Sequence, residues 1–227
     1  MPLLLCCAIA GSSQPNGKAV EITAEPDHHL ALSNQYTRVF KVEVPPHQPT
    51  LLHHHAHDYV FVTLGRTEIE NRVEGKAPVT LKLQDGETRF SAGNFSHVAV
   101  NLADAPFRNV TIEILKKATK ANSASPAPER GLEIGHGGLS EVIIDNDTVR
   151  VSDNAVAGGG MLHQPDAHKW PVLLVAVTDL ELHAQSGGKT EAPIRLKAGD
   201  IKWNRGGLPE LMNMAKEQVR FISVEFK

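Results

Sequence analysis

The sequence predicts an all-β chain folded as two similar barrels in tandem. Short apolar runs rich in β-branched residues alternate with turn residues at close intervals, and the first half holds no segment of helical period. A series of sequence blocks then recurs in the same order in the second half, which asks for equivalent strands in both.

After a polar leader, Val20 to Thr23 and Tyr36 to Val44 read as strands, the second closed by Pro45-Pro46 because proline cannot donate to a ladder. The histidine-rich stretch Leu51 to Gly65 comes next and runs into the β-branched segment Val60-Phe61-Val62-Thr63. Thr67 to Val73 and Val79 to Leu83 follow as strands, with Gln84-Asp85-Gly86 a hairpin-type turn. Arg89-Phe90, the turn Ala92-Gly93-Asn94, His97 to Asn101, the turn Ala103-Asp104-Ala105-Pro106 and Phe107 to Leu115 complete this half. Such spacing belongs to a β-sandwich or barrel. From Lys116 to Leu132 apolar periodicity is lost and small residues and proline accumulate, as in a linker.

The second half then repeats the first. Asn34-Gln35-Tyr36-Thr37-Arg38-Val39 returns as Asn146-Asp147-Thr148-Val149-Arg150-Val151, and Leu52-His53 as Leu162-His163. His57-Asp58-Tyr59 is matched by His168-Lys169-Trp170, Ala92-Gly93-Asn94 by Ala198-Gly199-Asp200, and Phe107 to Ile114 by Val219 to Phe226. The chain therefore divides into a leader, 1–17, a first β-domain, 18–116, a linker, 117–132, and a second β-domain, 133–227. Val60 and Val62 in one copy, and Leu173 and Val175 in the other, make the second face of a strand apolar as well. Strands buried on both sides fit domains packed against one another or against a second subunit, as in a homodimer.

At 227 residues, 41% apolar and 22% charged, the composition is that of a globular protein with a real core. A net charge of -3, with no basic cluster beyond Lys116, Lys117 and Lys120, argues against nucleic acid as a partner. The apolar run Leu3 to Ala10 is too short to span a bilayer. It ends in Ala8-Ile9-Ala10, the small-x-small shape of a secretory cleavage site, yet no Lys or Arg precedes it. A cleaved signal peptide, with the mature chain starting near Gly11 and secreted or periplasmic, and an apolar tail on a cytoplasmic protein both stay open. The only cysteines, Cys6 and Cys7, lie in that run, so neither a disulfide nor a Cys-ligated zinc site supports the fold.

Four of the twelve histidines are His53, His54, His55 and His57. On a continuous strand His53, His55, His57, Tyr59 and Phe61 share one face. Neutral imidazole is the commonest protein ligand for transition metals, and two histidines at i, i+2 can share an ion. The stretch thus reads as half of a metal site; the alternative is a polar, His-rich loop leading into an ordinary strand. A distant ligand is required to decide.

At this point the chain resembles the cupins, and specifically a bicupin. The first cupin motif is His-x-His, three or four residues, Glu and then Gly; His53-His54-His55, Tyr59 and Gly65 match it, with Tyr in the glutamate's place. The second is a Pro-x-Gly turn, then a His, three residues and an Asn; Ser91-Ala92-Gly93, His97 and Asn101 match it, with Ser for Pro and one extra residue before the histidine. The resemblance implies two double-stranded β-helix (jelly-roll) barrels. It also implies one divalent metal, Fe, Ni, Cu, Zn or Mn, held in the first barrel by His53, His55 and His97. His57 would substitute if the register slides by two residues. Tyr59 would stand beside the ion with its hydroxyl towards a bound oxygen, or simply pack with that hydroxyl on backbone. Asp58 has the wrong parity to replace the glutamate.

In the second copy the positions of Tyr59 and His97 are expected to hold Trp170 and Trp203, filling the interior, with His163, Asp166 and His168 left over. Ser91, Ser96 and His97 lack a nucleophile elbow, and the glycine clusters open no phosphate-binding helix. Two classes of function follow: a metal-dependent oxygenase, isomerase or lyase acting on a small molecule, with Tyr59 assisting, or a non-catalytic small-molecule-binding or structural bicupin.

Overall fold

A computed structural model describes residues 17–115, 132–133, 136–163, 170–186, 189–190 and 192–227. Residues 1–16 of the expected leader and 117–131 of the expected linker lie outside the described residues, as do Asp166 and His168. The architecture is all-β. In the first half the strands are β1 (Val20–Glu21), β2 (His28–Ser33), β3 (Thr37–Val44), β4 (His53–His55), β5 (Tyr59–Leu64), β6 (Thr67–Val73), β7 (Val79–Leu83), β8 (Thr88–Ser91), β9 (Phe95–Asn101) and β10 (Phe107–Ile114). In the second they are β11 (Leu132–Glu133), β12 (Gly138–Asp145), β13 (Val149–Val156), β14 (Met161–Leu162), β15 (Val172–Ala176), β16 (Leu180–Ser186), β17 (Lys189–Thr190), β18 (Ile194–Leu196), β19 (Ile201–Asn204), β20 (Glu210–Asn213) and β21 (Val219–Phe226).

Each half closes two sheets on each other. The first barrel pairs β1-β4-β9-β6-β7 with β2-β3-β10-β5-β8, and the second pairs β11-β12-β13-β21-β15-β19 with β14-β20-β16-β17. The sequence missed β2, whose His28-His29-Leu30-Ala31 carries no alternation. It also overextended the first strand, which gives way at Ile22 to a single 3-10 turn, Ile22–Ala24.

The expected continuous strand from the histidines to Leu64 is in fact two strands in different sheets. β4 pairs with β9, β5 pairs with β10 and β8, and Ala56 to Asp58 carry the chain across. The crossing is tight. A Cβ on Gly93 would lie 2.3 Å from the His57 carbonyl carbon, so only glycine lets these backbones meet. Asp58 Oδ1 accepts the Gly93 N–H at 2.8 Å, and Asn94, at φ 64°, donates its N–H to the His55 carbonyl.

Alternation along β5 and β15 explains their two apolar faces, and β10 and β21 each turn one apolar face to meet them. Val60, Val62, Val110 and Ile112 of the first barrel join Leu173, Val175, Ile222, Val224 and Phe226 of the second in one buried cluster between the barrels. The opposite parity faces the barrel interiors. In the second barrel this is an apolar core including Leu174, Leu182, Leu211 and Phe221. Lys41 and Asp200 bridge the rim of the contact at 2.6 Å, and Arg220 donates to the Asp85 carbonyl at 2.9 Å.

Hydrogen bonds fix which residues correspond between the halves. Asn101 Nδ2 donates to the carbonyls of Val44, Pro45 and Ala105, and Asn213 Nδ2 donates to those of Val156, Ala157 and Glu217. Arg38 faces Glu113 across a ladder as Arg150 faces Glu225, so the first and last sequence blocks align as expected. The Ala198-Gly199-Asp200 turn aligns elsewhere. Gly86 donates to Thr63 O at the end of β5, and Gly199 donates to Ala176 O at the end of β15. Gly199 thus corresponds to Gly86, one hairpin earlier than Gly93. Tight turns look alike in sequence at every hairpin, and only the ladder they close tells them apart.

This corrects the two tryptophans. Tyr59 and Val172 hold the same place opposite Glu113 and Glu225, and Trp203 pairs with Leu173 as Phe90 pairs with Val60. Trp203 therefore points to the layer between the barrels, where its ring lies 5.8 Å from that of Tyr36 and 5.4 Å from that of Phe226. Trp170 is half-buried outside the strands, under the cations of Arg150 and Lys227 at 5.9 and 5.8 Å. Neither indole fills the second barrel.

Candidate metal centre

Three imidazoles converge in the first barrel because two short strands pair in one register. His53 stands directly opposite His97 across β4 and β9, and His55, two residues on, projects from the same face. One ligating nitrogen from each of His53, His55 and His97 lies within 4.8 Å of the others. His54 takes the opposite parity and turns away towards Ser96 Oγ, 3.3 Å distant. His57 sits in the crossing between sheets and is not in the group of three.

The hydrogen bonds around the cluster set its tautomers. His53 Nδ1 donates to the Leu51 carbonyl at 2.9 Å, and His97 Nδ1 lies 2.6 Å from Asn71 Oδ1, which can only accept. In both rings the remaining nitrogen, Nε2, keeps its lone pair for the interior. His53 Nε2 is buried with no hydrogen-bond partner. The Nε2 atoms of His55 and His97 face each other at 3.1 Å. Two lone pairs repel at that distance unless a proton or a cation lies between them. Two nitrogens bound about 2.1 Å from one ion at angles between square and tetrahedral are roughly 3.0 to 3.4 Å apart, so this pair fits a metal.

Burial keeps the site neutral. His53 is pushed down to about 4, first by desolvation and then by the nearby His28; His55 is pushed down to about 2 by desolvation and by His97, His53 and His28. His97 is lowered well below the usual range for the same first reason. All three are unprotonated at neutral pH, the form that binds metal.

Tyr59 lies beside the cluster. It is buried, and its ring stacks on His55 at a centroid distance of 4.2 Å and an interplanar angle of 18°. Phe95 lies near the same imidazole at 5.6 Å and 6.3 Å from Tyr59, so the three rings form one aromatic cluster. Burial raises the Tyr59 phenol, and a hydrogen bond with Ser91 opposes that rise. Asp58 is exposed in the crossing between the two strands, where its Oδ1 holds the Gly93 N–H.

His28 is the residue of this site that sequence reasoning missed. It comes from β2 in the opposite sheet, lines the cavity, and places its ring 4.7 Å from that of His53. Its only sequence signal was a second histidine pair, His28-His29, in a segment without strand alternation. The cavity measures about 60 Å³ and is otherwise mostly apolar, with Val42, Phe61, Ile69 and Leu81 among its walls. The second barrel has no such centre among the described residues. Four residues before Asn101 stands His97, whereas four before Asn213 stands Pro209. His163 is exposed and pairs with Glu210 at 3.2 Å.

No protein-family model matches the chain, and no curated protein does either. Solved structures do. AerE from Microcystis aeruginosa matches with a TM-score of 0.61 at 11% identity, over 89% of this chain and 98% of that one. Oxalate decarboxylase of Bacillus subtilis, in a structure concerned with its Mn(II) centres, matches with a TM-score of 0.58 at 12% identity, over 88% of this chain and 75% of that one. A further oxalate decarboxylase structure, concerned with the substrate binding mode, scores 0.59 at 11% identity over the same shares. At these identities the likeness is one of fold: a tandem pair of cupin-type barrels.

Proposed function

We propose that this chain is a bicupin that binds one divalent metal ion in its first barrel through His53, His55 and His97 and acts there on a small molecule. The second barrel is degenerate and structural. The observation that carries this is the buried His53 Nε2, which lacks any partner beside the facing Nε2 atoms of His55 and His97. A buried nitrogen without a hydrogen bond costs roughly 1–3 kcal/mol, which a bound cation would offset. The Mn(II) centres of the Bacillus subtilis decarboxylase show that the fold accommodates a divalent metal, and the imidazole set here also suits Fe, Ni, Cu and Zn.

Three neutral imidazoles leave an ion its full charge and leave coordination positions open, so it would supply Lewis-acid polarisation or, as iron, redox chemistry with O₂. The protein's part is to hold His53 and His97 in one tautomer through Leu51 and Asn71, to stack Tyr59 on His55, and to exclude water with apolar walls. The reaction class this supports is a metal-dependent oxygenase or isomerase. Elemental analysis of purified chain, followed by an oxygen-uptake screen, tests it. About one metal ion per chain is expected, lost in His53→Ala, His55→Ala and His97→Ala and retained in His57→Ala. Metal-free protein that takes up no ion on reconstitution would leave a non-catalytic bicupin instead.

A further inference from the structure

The Glu25-His28 pair is built as firmly as the histidine cluster, and the metal reading gives it no task. Glu25 is 2% exposed, yet it is a carboxylate with both oxygens engaged: Oε1 accepts the Leu51 N–H at 3.1 Å, and Oε2 accepts the Asp27 N–H at 2.9 Å. Oε2 also meets His28 Nδ1 at 2.5 Å. A carboxylate so placed accepts, so Nδ1 carries a proton, and in the neutral ring the His28 lone pair resides on Nε2. Leu51 joins the two arrangements, since its N–H holds Glu25 while its carbonyl holds His53 Nδ1. His28 is not in the metal-ligating group, although its ring lies 4.7 Å from that of His53 and 6.5 Å from that of His55.

We propose that His28, fixed in one tautomer by Glu25, positions the bound ligand by accepting a hydrogen bond at Nε2, and so selects small chelating molecules that carry a proton donor beside their metal-binding oxygen. The inference rests on the three-histidine metal reading. Two features of the cavity narrow the class further. A volume of about 60 Å³ holds roughly four to six water-sized groups, the size of a short hydroxy acid. Among the described residues no lysine or arginine lines it, so the ion itself would hold the ligand's anionic end, and His28 would read what stands next to it.

The test uses the cobalt(II)-loaded full-length chain, titrated by visible absorption with glycolate and with methoxyacetate. The two differ at one oxygen, which carries a proton only in glycolate. Wild type is expected to prefer glycolate by about tenfold, the worth of one such hydrogen bond. His28→Leu should abolish the preference at unchanged cobalt stoichiometry, His28→Gln, which still offers an acceptor, should restore part of it, and Glu25→Gln should weaken it. Cobalt bound with no glycolate preference, or a preference that survives His28→Leu, would overturn this assignment and spare the metal site. A wild-type chain that binds no cobalt would overturn both.

Discussion

Asn101 and Asn213 perform one task in two barrels: each buried amide ties together three backbone carbonyls where the strand leaves its sheet, and each Oδ1 takes the N–H two residues on, at 3.0 Å. Both side chains are fully buried. Alanine at either place leaves one buried and two part-buried carbonyls without donors, at roughly 1 to 3 kcal/mol. Denaturant unfolding should show comparable losses for Asn101→Ala and Asn213→Ala. Metal content should fall, if at all, only in the first, whose strand carries His97.

Asn71 should matter to metal affinity more than to stability. It holds the His97 tautomer through a 2.6 Å contact. Asn71→Leu keeps the volume and removes the acceptor, and loss of such an outer partner typically lowers metal affinity about 10- to 100-fold. Competition with a chromophoric chelator measures it; an unchanged affinity would mean that the contact orients nothing.

The apo protein should lose stability on acidification. His53 is held near 4 and His55 near 2 in the fold, against about 6.5 in the unfolded chain, so below pH 6.5 the unfolded state binds more protons. The contribution is intact above pH 6.5 and is lost as pH falls from there to about 4 for His53, and lower still for His55. Melting temperature of the metal-free chain should therefore drop between pH 7 and pH 5. A His53→Gln, His55→Gln double variant should drop less.

Gly93→Ala should disrupt the site without touching a ligand. Its Cβ would strike the His57 carbonyl carbon and oxygen at 2.3 and 2.4 Å, forcing apart the crossing that places β4 and Tyr59 in opposite sheets. Loss of stability and of metal binding together is expected. Gly206→Ala in the second barrel, where nothing lies within 4 Å, is the control and should leave both unchanged.

Trp203 should report on the contact between barrels. A double-mutant cycle with Tyr36, each residue cut to alanine, should give a coupling of roughly 0.5–1.5 kcal/mol, as aromatic pairs do. No coupling would place the indole elsewhere.

Composition, alternation and turn residues by themselves determined that this chain is β throughout and doubled, since strand period and punctuation are local properties. They also determined that β5 and β15 bury both faces. His-x-His spacing put two imidazoles on one side of a strand, and the second motif supplied the third; both are short-range patterns that a ladder preserves. Only the tertiary structure decided three further matters. It broke the expected strand at Ala56, because a barrel must pass the chain from one sheet to the other and only the close approach at Gly93 reveals where. It moved Trp203 from a barrel interior to the layer between barrels, because identical-looking turns do not say which hairpin they close and a slip of register changes every facing. And it brought His28 to the site, because Glu25 and His28 are distant in sequence from Leu51 and His53 and meet them only when two sheets close face to face.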